Sequence, residues 1–211
     1  MKHKLVVLSD THGFHDHVRV PLGDILIHCG DCTNDLGQAS LRNFLIWFDR
    51  QPHKLKLFIA GNHDGAFENW PQQAREMVKD VADSCVYLED SGYEYEGIKF
   101  WGSPVTPSFC NWFFNRDRGQ KIKCHWDKIP QGTDVLITHG PPNGILDKSG
   151  FDNENAGCED LLDAVQRIKP QIHCFGHIHH SYGAKQVDGT VFVNASICDE
   201  GYKPTRQPWV L

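Results

Sequence analysis

Five short apolar runs in this 211-residue chain each stop at a polar motif, and that pattern narrows the folds open to it. The runs are "KLVVLSDTHG", "DILIHCGD", "LKLFIAGNHD", "DVLITHGPP" and "QIHCFGHIHH". They are short and rich in Val, Ile, Leu and Phe, as strands buried on both faces are. Helical patterns lie between some of them. "SLRNFLIWFDR" sets Leu41, Phe44, Leu45 and Phe48 at helical spacing, with Ser40 as the expected N-cap. "ENWPQQAREMVKDV" and "CEDLLDAVQRIKP" also read as helices, the second stopped by Pro170. Hairpins are expected at Glu96-Gly97 and at Asp188-Gly189. The pattern is layered α/β or α+β, without internal repeat or low-complexity linker, and residues 1–211 are expected to form one domain.

Composition bounds the function. The chain is 40% hydrophobic and 23% charged, enough apolar material for a real core. A formal net charge of −6 argues against a general binder of long nucleic acid or of an anionic membrane. No apolar run approaches the ~20 residues that span a bilayer. The start, "MKHKLVVLSDTHG", lacks a secretory cleavage pattern. Eight scattered cysteines are therefore expected to be reduced thiols in a cytoplasmic protein.

The strand exits carry the chemistry. In order they deliver Asp10-Thr11-His12, Gly30-Asp31, Gly61-Asn62-His63-Asp64, Thr138-His139-Gly140 and Gly176-His177-Ile178-His179. Carboxylate, carboxamide oxygen and imidazole are all metal ligands, and strand exits gather at one edge of a sheet. Asp10 and His12 are two apart and share a side in an extended segment, as do His177 and His179. A lone histidine after a strand is usually an ordinary core or surface residue. Five such elements in one order are hard to obtain by chance.

These blocks, "DTH", "GD", "GNHD", "THG" and "GHIH", resemble the signature of the calcineurin-like metallophosphoesterases. The resemblance runs from Asp10 to His179. "FGHIHHSYG" and "VFVNASICDEGYKP" are similar to one branch, the metallophosphoesterase-domain-containing proteins related to cyclic-nucleotide phosphodiesterases. The family implies a four-layer α/β/β/α sandwich of two mixed sheets. It also implies that Asp10, His12 and His179 hold one divalent metal, that Asn62, His139 and His177 hold a second, and that Asp31 bridges both. His63 would then face the phosphate from outside the ligand set, with Asp64 as the partner of its ring.

The implied chemistry is phosphoester hydrolysis. Two ions ~3.5–4 Å apart lower the pKa of a shared water, and the resulting hydroxide attacks phosphorus in line with the leaving oxygen. His63 would protonate that oxygen or stabilise its charge. Ligands without thiolate suit manganese, iron, zinc or cobalt, and manganese is the expected activator. A small phosphodiester such as a cyclic nucleotide is the leading substrate expectation. Phosphomonoesters or phosphoproteins come second, and a non-catalytic scaffold of the same fold comes behind both.

Two features stay open. The segment "SPVTPSFCNWFFNRDRG" (103–119) carries Phe109, Trp112, Phe113 and Phe114, which either stack on a substrate base or close the core. Asn34, Asn111, Arg116 and Arg118 are weaker candidates for phosphate or base contacts. "HCGDCTN" holds a C-x-x-C pair that reads as incidental. Cys29 is expected to be a buried apolar residue, Cys32 a lesser candidate for a reactive thiol, and Asp31 between them the residue that matters. The competing redox or zinc-structural reading would depend on Cys29 and Cys32.

Overall fold

The computed structural model describes residues 2–34 and 37–211. Its first half alternates strand and helix: β1 (Leu5–Leu8), β2 (Ile25–His28), α1 (Gln38–Asp49), β3 (Leu55–Phe58), α2 (Gly65–Asn69), α3 (Pro71–Val81) and β4 (Cys85–Tyr87). A hairpin, β5 (Ser91–Tyr95) and β6 (Ile98–Ser103), opens the second half. Then come two short strands, β7 (Thr106–Pro107) and β8 (Asn115–Arg116), followed by α4 (Gln120–Trp126), β9 (Val135–Thr138), α5 (Glu159–Ile168) and β10 (Ile172–Phe175). The chain closes with β11 (Gly183–Val187), β12 (Thr190–Asn194) and β13 (Trp209–Val210).

Two mixed sheets result. One has the order β13-β1-β2-β3-β4 and the other β11-β12-β10-β9-β6-β5. The central pairs are parallel, whereas β13, β11 and β5 run antiparallel to their neighbours. Strand periodicity explains the layering. Leu5, Val7, Ile25, Ile27, Leu55 and Leu57 pack against Phe100, Val135, Ile137, Ile172, Cys174 and Val193 in the layer between the sheets. The alternate residues face outward: Val6, Leu8, Leu26 and Phe58 toward α1 and α3, and Leu136, Phe175 and Phe192 toward α4 and α5. This is the expected α/β/β/α sandwich.

Local differences have physical causes. Helix α1 begins at Gln38 with Gly37 at its N-cap position, so Ser40 lies in the first turn and is not the cap. The single helix expected over "ENWPQQAREMVKDV" is two helices. Pro71 lacks an N–H and its ring clashes with a preceding helical turn, so it starts a new helix at N1. Both hairpins turn where expected, with positive φ at Glu96-Gly97 and Asp188-Gly189. No helix among the described residues is long and apolar enough to cross a membrane.

Candidate metal centre

The sheets meet where their parallel strands end. Just past β1, Ser9 bridges to Ser196 just past β12, with Ser9 N donating to Ala195 O at 2.9 Å and Ile197 N to Ser9 O at 2.8 Å. That junction brings the five strand exits together. Asp10, His12, Asp31 and His177 all take the left-handed backbone region, with φ of 55°, 46°, 53° and 66°. Such conformations cost about 1–3 kcal/mol each in a non-glycine residue and persist only where the surroundings enforce them. Here Asp10 N donates to Gly30 O and His12 N to Asp31 O, both at 2.9 Å. Glycine is required beside them. A Cβ on Gly61 would lie 2.3 Å from Asp31 Oδ1, and one on Gly176 would lie 2.0 Å from Asp10 Oδ2.

The side chains form overlapping clusters. Asp10, His12 and His179 converge, as do Asp31, His139 and His177, and a third set of His12, Asp31 and His63 overlaps both, with the donor atoms of each set within 4.8 Å of one another. Asp31 joins the first two. Its Oδ2 is 3.2 Å from His139 Nε2, 3.8 Å from His12 Nε2 and 4.0 Å from His63 Nε2. Its Oδ1 accepts the His63 backbone N–H at 2.8 Å, which fixes the carboxylate. Asn62 Oδ1 lies 2.9 Å from His139 Nε2. Every residue expected to ligate metal is therefore at this centre.

The hydrogen bonds around the imidazoles show what the centre is shaped to hold. His139 Nδ1 donates to Cys29 O at 2.9 Å, and His179 Nδ1 donates to Asp199 O at 3.0 Å. His12 Nδ1 donates to Asn34 Oδ1 at 2.6 Å, while Asn34 Nδ2 donates back to His12 O at 3.3 Å. Each ring then presents its Nε2 lone pair inward. His12 and His179 Nε2 face each other at 3.2 Å, with Asp10 Oδ1 3.3 Å from the latter. His139 Nε2 faces two oxygen acceptors. Lone pairs converging at these distances repel unless a proton or a cation lies among them. The donor set fits divalent cations held by nitrogen and oxygen.

The electrostatics show how strongly these carboxylates and imidazoles are coupled: a proton or a cation is held between them. Burial alone would raise the pKa of Asp10, yet the His179 hydrogen bond and the nearby imidazoles hold it well below the usual carboxylate range. Asp31 is likewise held down against burial, chiefly by His139. Burial would depress His139, but Asp31 overcomes it and pushes His139 up to about 9. Burial keeps His12 at about 4 and His177 at about 3, so both present neutral nitrogen.

Several expectations need correction. Asp64 is not shown partnering the His63 ring. Its buried carboxylate accepts from Thr33 N and Thr33 Oγ1 at 2.8 Å, from Gly61 N at 2.8 Å, from Cys32 N at 3.2 Å and from Cys32 Sγ at 3.1 Å. Asp64 ties the Asp31 loop to the Asn62 loop and so sets the spacing between ligands. Asn34 pairs through its side-chain amide with His12. Arg116 is engaged by Glu68 at 3.0 Å and by Asn115 O. Arg118 is engaged by Glu159 and Gly157 O. Cys29 and Cys32 are fully buried free thiols, not a disulfide, and burial raises both well above the ordinary thiol value. A reactive Cys32 is therefore overturned. The aromatic loop divides: Phe114 is core, while Phe109 and Trp112 are exposed.

Asp64→Asn is expected to weaken divalent-ion affinity by about 10- to 100-fold, the usual cost of losing a residue that orients ligands. An amide nitrogen would then confront backbone N–H groups that now meet oxygen. Calorimetric titration with Mn2+ checks this, and an unchanged affinity would refute the spacing role.

Contributions that local patterning did not reveal include Ser196, whose Oγ donates to Asp10 Oδ2 at 2.9 Å, and the carbonyls of Cys29 and Asp199. Tyr202 is another. Its ring stands 4.7 Å from that of His12 and 5.4 Å from that of His179. No spacing marks these residues, because they approach from distant loops.

Comparison with known proteins agrees with this geometry. The chain is 39% identical to metallophosphoesterase domain-containing protein 1 of Homo sapiens, over 99% of this chain and 70% of that protein. It is 38% identical to a UPF0046 protein of Caenorhabditis elegans, over 98% of this chain and 74% of that one. A crystal structure that is 15% identical superposes with a TM-score of 0.73, covering 92% of this chain and 90% of the other, which speaks to the fold. Residues 3–181 match the calcineurin-like phosphoesterase family, and the chain belongs to that family.

Proposed function

We propose that this protein hydrolyses a phosphodiester in a small nucleotide, a cyclic nucleotide being the leading case, with two Mn2+ ions. The observation that carries this reading is the pair of donor clusters joined by one carboxylate, Asp31, with His63 beside it. Ions bound there would supply Lewis acidity to the phosphate oxygens and a water nucleophile at neutral pH.

The chain's own residues do the rest. Asp31 Oδ2 faces both clusters, so one side chain sets their separation. His12, His139 and His179 are locked by their Nδ1 hydrogen bonds, so their Nε2 atoms are aimed in advance and need no reorganisation. His63 has a mostly buried ring, its Nε2 4.0 Å from Asp31 Oδ2, which puts it beside the carboxylate shared by the two clusters. That position suits proton delivery to the leaving oxygen. The net charge of −6 disfavours long nucleic acid as substrate. Eight free cysteines among the described residues support a reducing, cytoplasmic setting.

Treatment with a chelator is expected to remove turnover of bis-p-nitrophenyl phosphate, and added Mn2+ to restore it. The same preparation, given p-nitrophenyl phosphate, reports the monoester activity and should be slower. Full activity after verified metal removal would eliminate the two-metal reading. Faster monoester turnover would shift the substrate class.

A further inference from the structure

Two half-exposed aromatic rings stand at the same imidazole, and the chemistry above uses neither. Trp112 lies over His63 with ring centroids 4.1 Å apart and planes 39° from parallel. Tyr202 lies 6.1 Å from His63 and edge-on to His12. Trp112 is 40% exposed and Tyr202 41% exposed, so each keeps a large ring surface in water beside the catalytic centre.

Trp112 is placed by a built loop. The pairing of β7 with β8 closes the base of the segment. Within it, Phe109 N donates to Asn115 Oδ1 at 2.9 Å and Phe114 N to Glu68 Oε2 at 2.8 Å. Phe113 N donates to Asn62 O at 3.3 Å, which ties the loop to a metal-ligand residue. Cys110, Asn111 and Phe114 all have positive φ, of 50°, 56° and 54°. Three such residues within five are strained conformations that the anchors enforce. Their effect is to hold the indole out over His63 instead of letting it fold into the core, as Phe114 does. Scattered exposed rings need no explanation. Two beside one imidazole, one of them held there under strain, do.

We propose that the exposed face of Trp112, with Tyr202 beside it, is the platform on which the base of a nucleotide ligand stacks while its phosphate lies in the two donor clusters. This rests on the phosphoester reading and adds what it leaves open, the group attached to the phosphate. Every base has a flat π-face, so such a platform selects bases over bare sugars and discriminates weakly among bases. Arg116 and Arg118 are each paired with a carboxylate and a backbone carbonyl, whereas the two rings are the groups that stand against His63.

Binding tests this independently of turnover. Calorimetry of Mn2+-loaded protein should show adenosine 5′-monophosphate bound about tenfold or more tightly than ribose 5-phosphate, with uridine 5′-monophosphate between. Trp112→Ala should erase most of that preference, Trp112→Phe should keep much of it, and Tyr202→Leu should reduce it. Equal affinity of wild type for the nucleotide and the sugar phosphate would overturn the proposal, as would no detectable nucleotide binding or an undiminished preference in Trp112→Ala. A base preference without hydrolysis of any ester would leave the platform standing and remove the hydrolytic reading. Hydrolysis without a base preference would do the reverse.

Discussion

Asp31→Ala is expected to lower phosphodiesterase turnover by about a thousandfold or more and to deplete both donor clusters of bound ion. Among the described residues, Asp31 is the carboxylate shared by both clusters, its Oδ2 lying 3.2 Å from His139 Nε2 and 3.8 Å from His12 Nε2. Losing charge stabilisation at the phosphoryl group is worth several kcal/mol, and each 1.4 kcal/mol is a tenfold change in rate. A second effect adds to the first. Asp31 Oδ1 accepts the His63 N–H, so its removal also frees the loop that carries His63 and Asn62. Metal analysis of the purified variant alongside kinetics checks both halves. A variant that keeps two ions per chain would show that Asp31 does not bridge.

His63→Ala is expected to behave differently: both ions are retained and kcat falls by about 10²–10⁴, the range for losing a positioned acid or base. The separation follows from the hydrogen bonds. His63 holds Asp31 through its backbone N–H, which alanine keeps, so the Ala variant retains the carboxylate's position and loses only the ring. Substrates with good leaving groups, such as p-nitrophenyl esters, should suffer less than alkyl esters, because they need less protonation as they depart. A variant that lost an ion would place His63 among the ligands. One with unchanged kcat on an alkyl ester would take it out of proton transfer.

The contrast between these residues follows a division visible along the chain. Local pattern identified the strands, because β1, β2, β3, β9 and β10 are short, largely apolar runs, and each is buried along its whole length. It also marked the candidate ligands, because five successive strand exits carry carboxylate, carboxamide or imidazole, a combination that no single exit would make meaningful alone. The four-layer arrangement came from family resemblance, since no local period says which outward faces will meet which helices.

Asp64 shows where local reading stops. The family resemblance implied a ring partner for His63. The backbone at Asp64 instead turns its carboxylate onto Cys32, Thr33 and Gly61, thirty residues away in part, where buried N–H groups would otherwise lack an acceptor. Asn34 is similar: its amide matches His12 on both sides, a pairing across 22 residues.

The sequence by itself determined which candidate metal-ligating residues follow the strands, because residue type and strand exits are local; their division between two metals came from family resemblance. Only the tertiary structure decided how those ligands are oriented, that Asp64 links two loops, and that Trp112 and Tyr202 flank His63. Those facts depend on which loops close against one another and on strained backbone at Asp10, His12, Asp31 and His177. Both are settled by packing between distant segments, to which no short stretch of sequence has access.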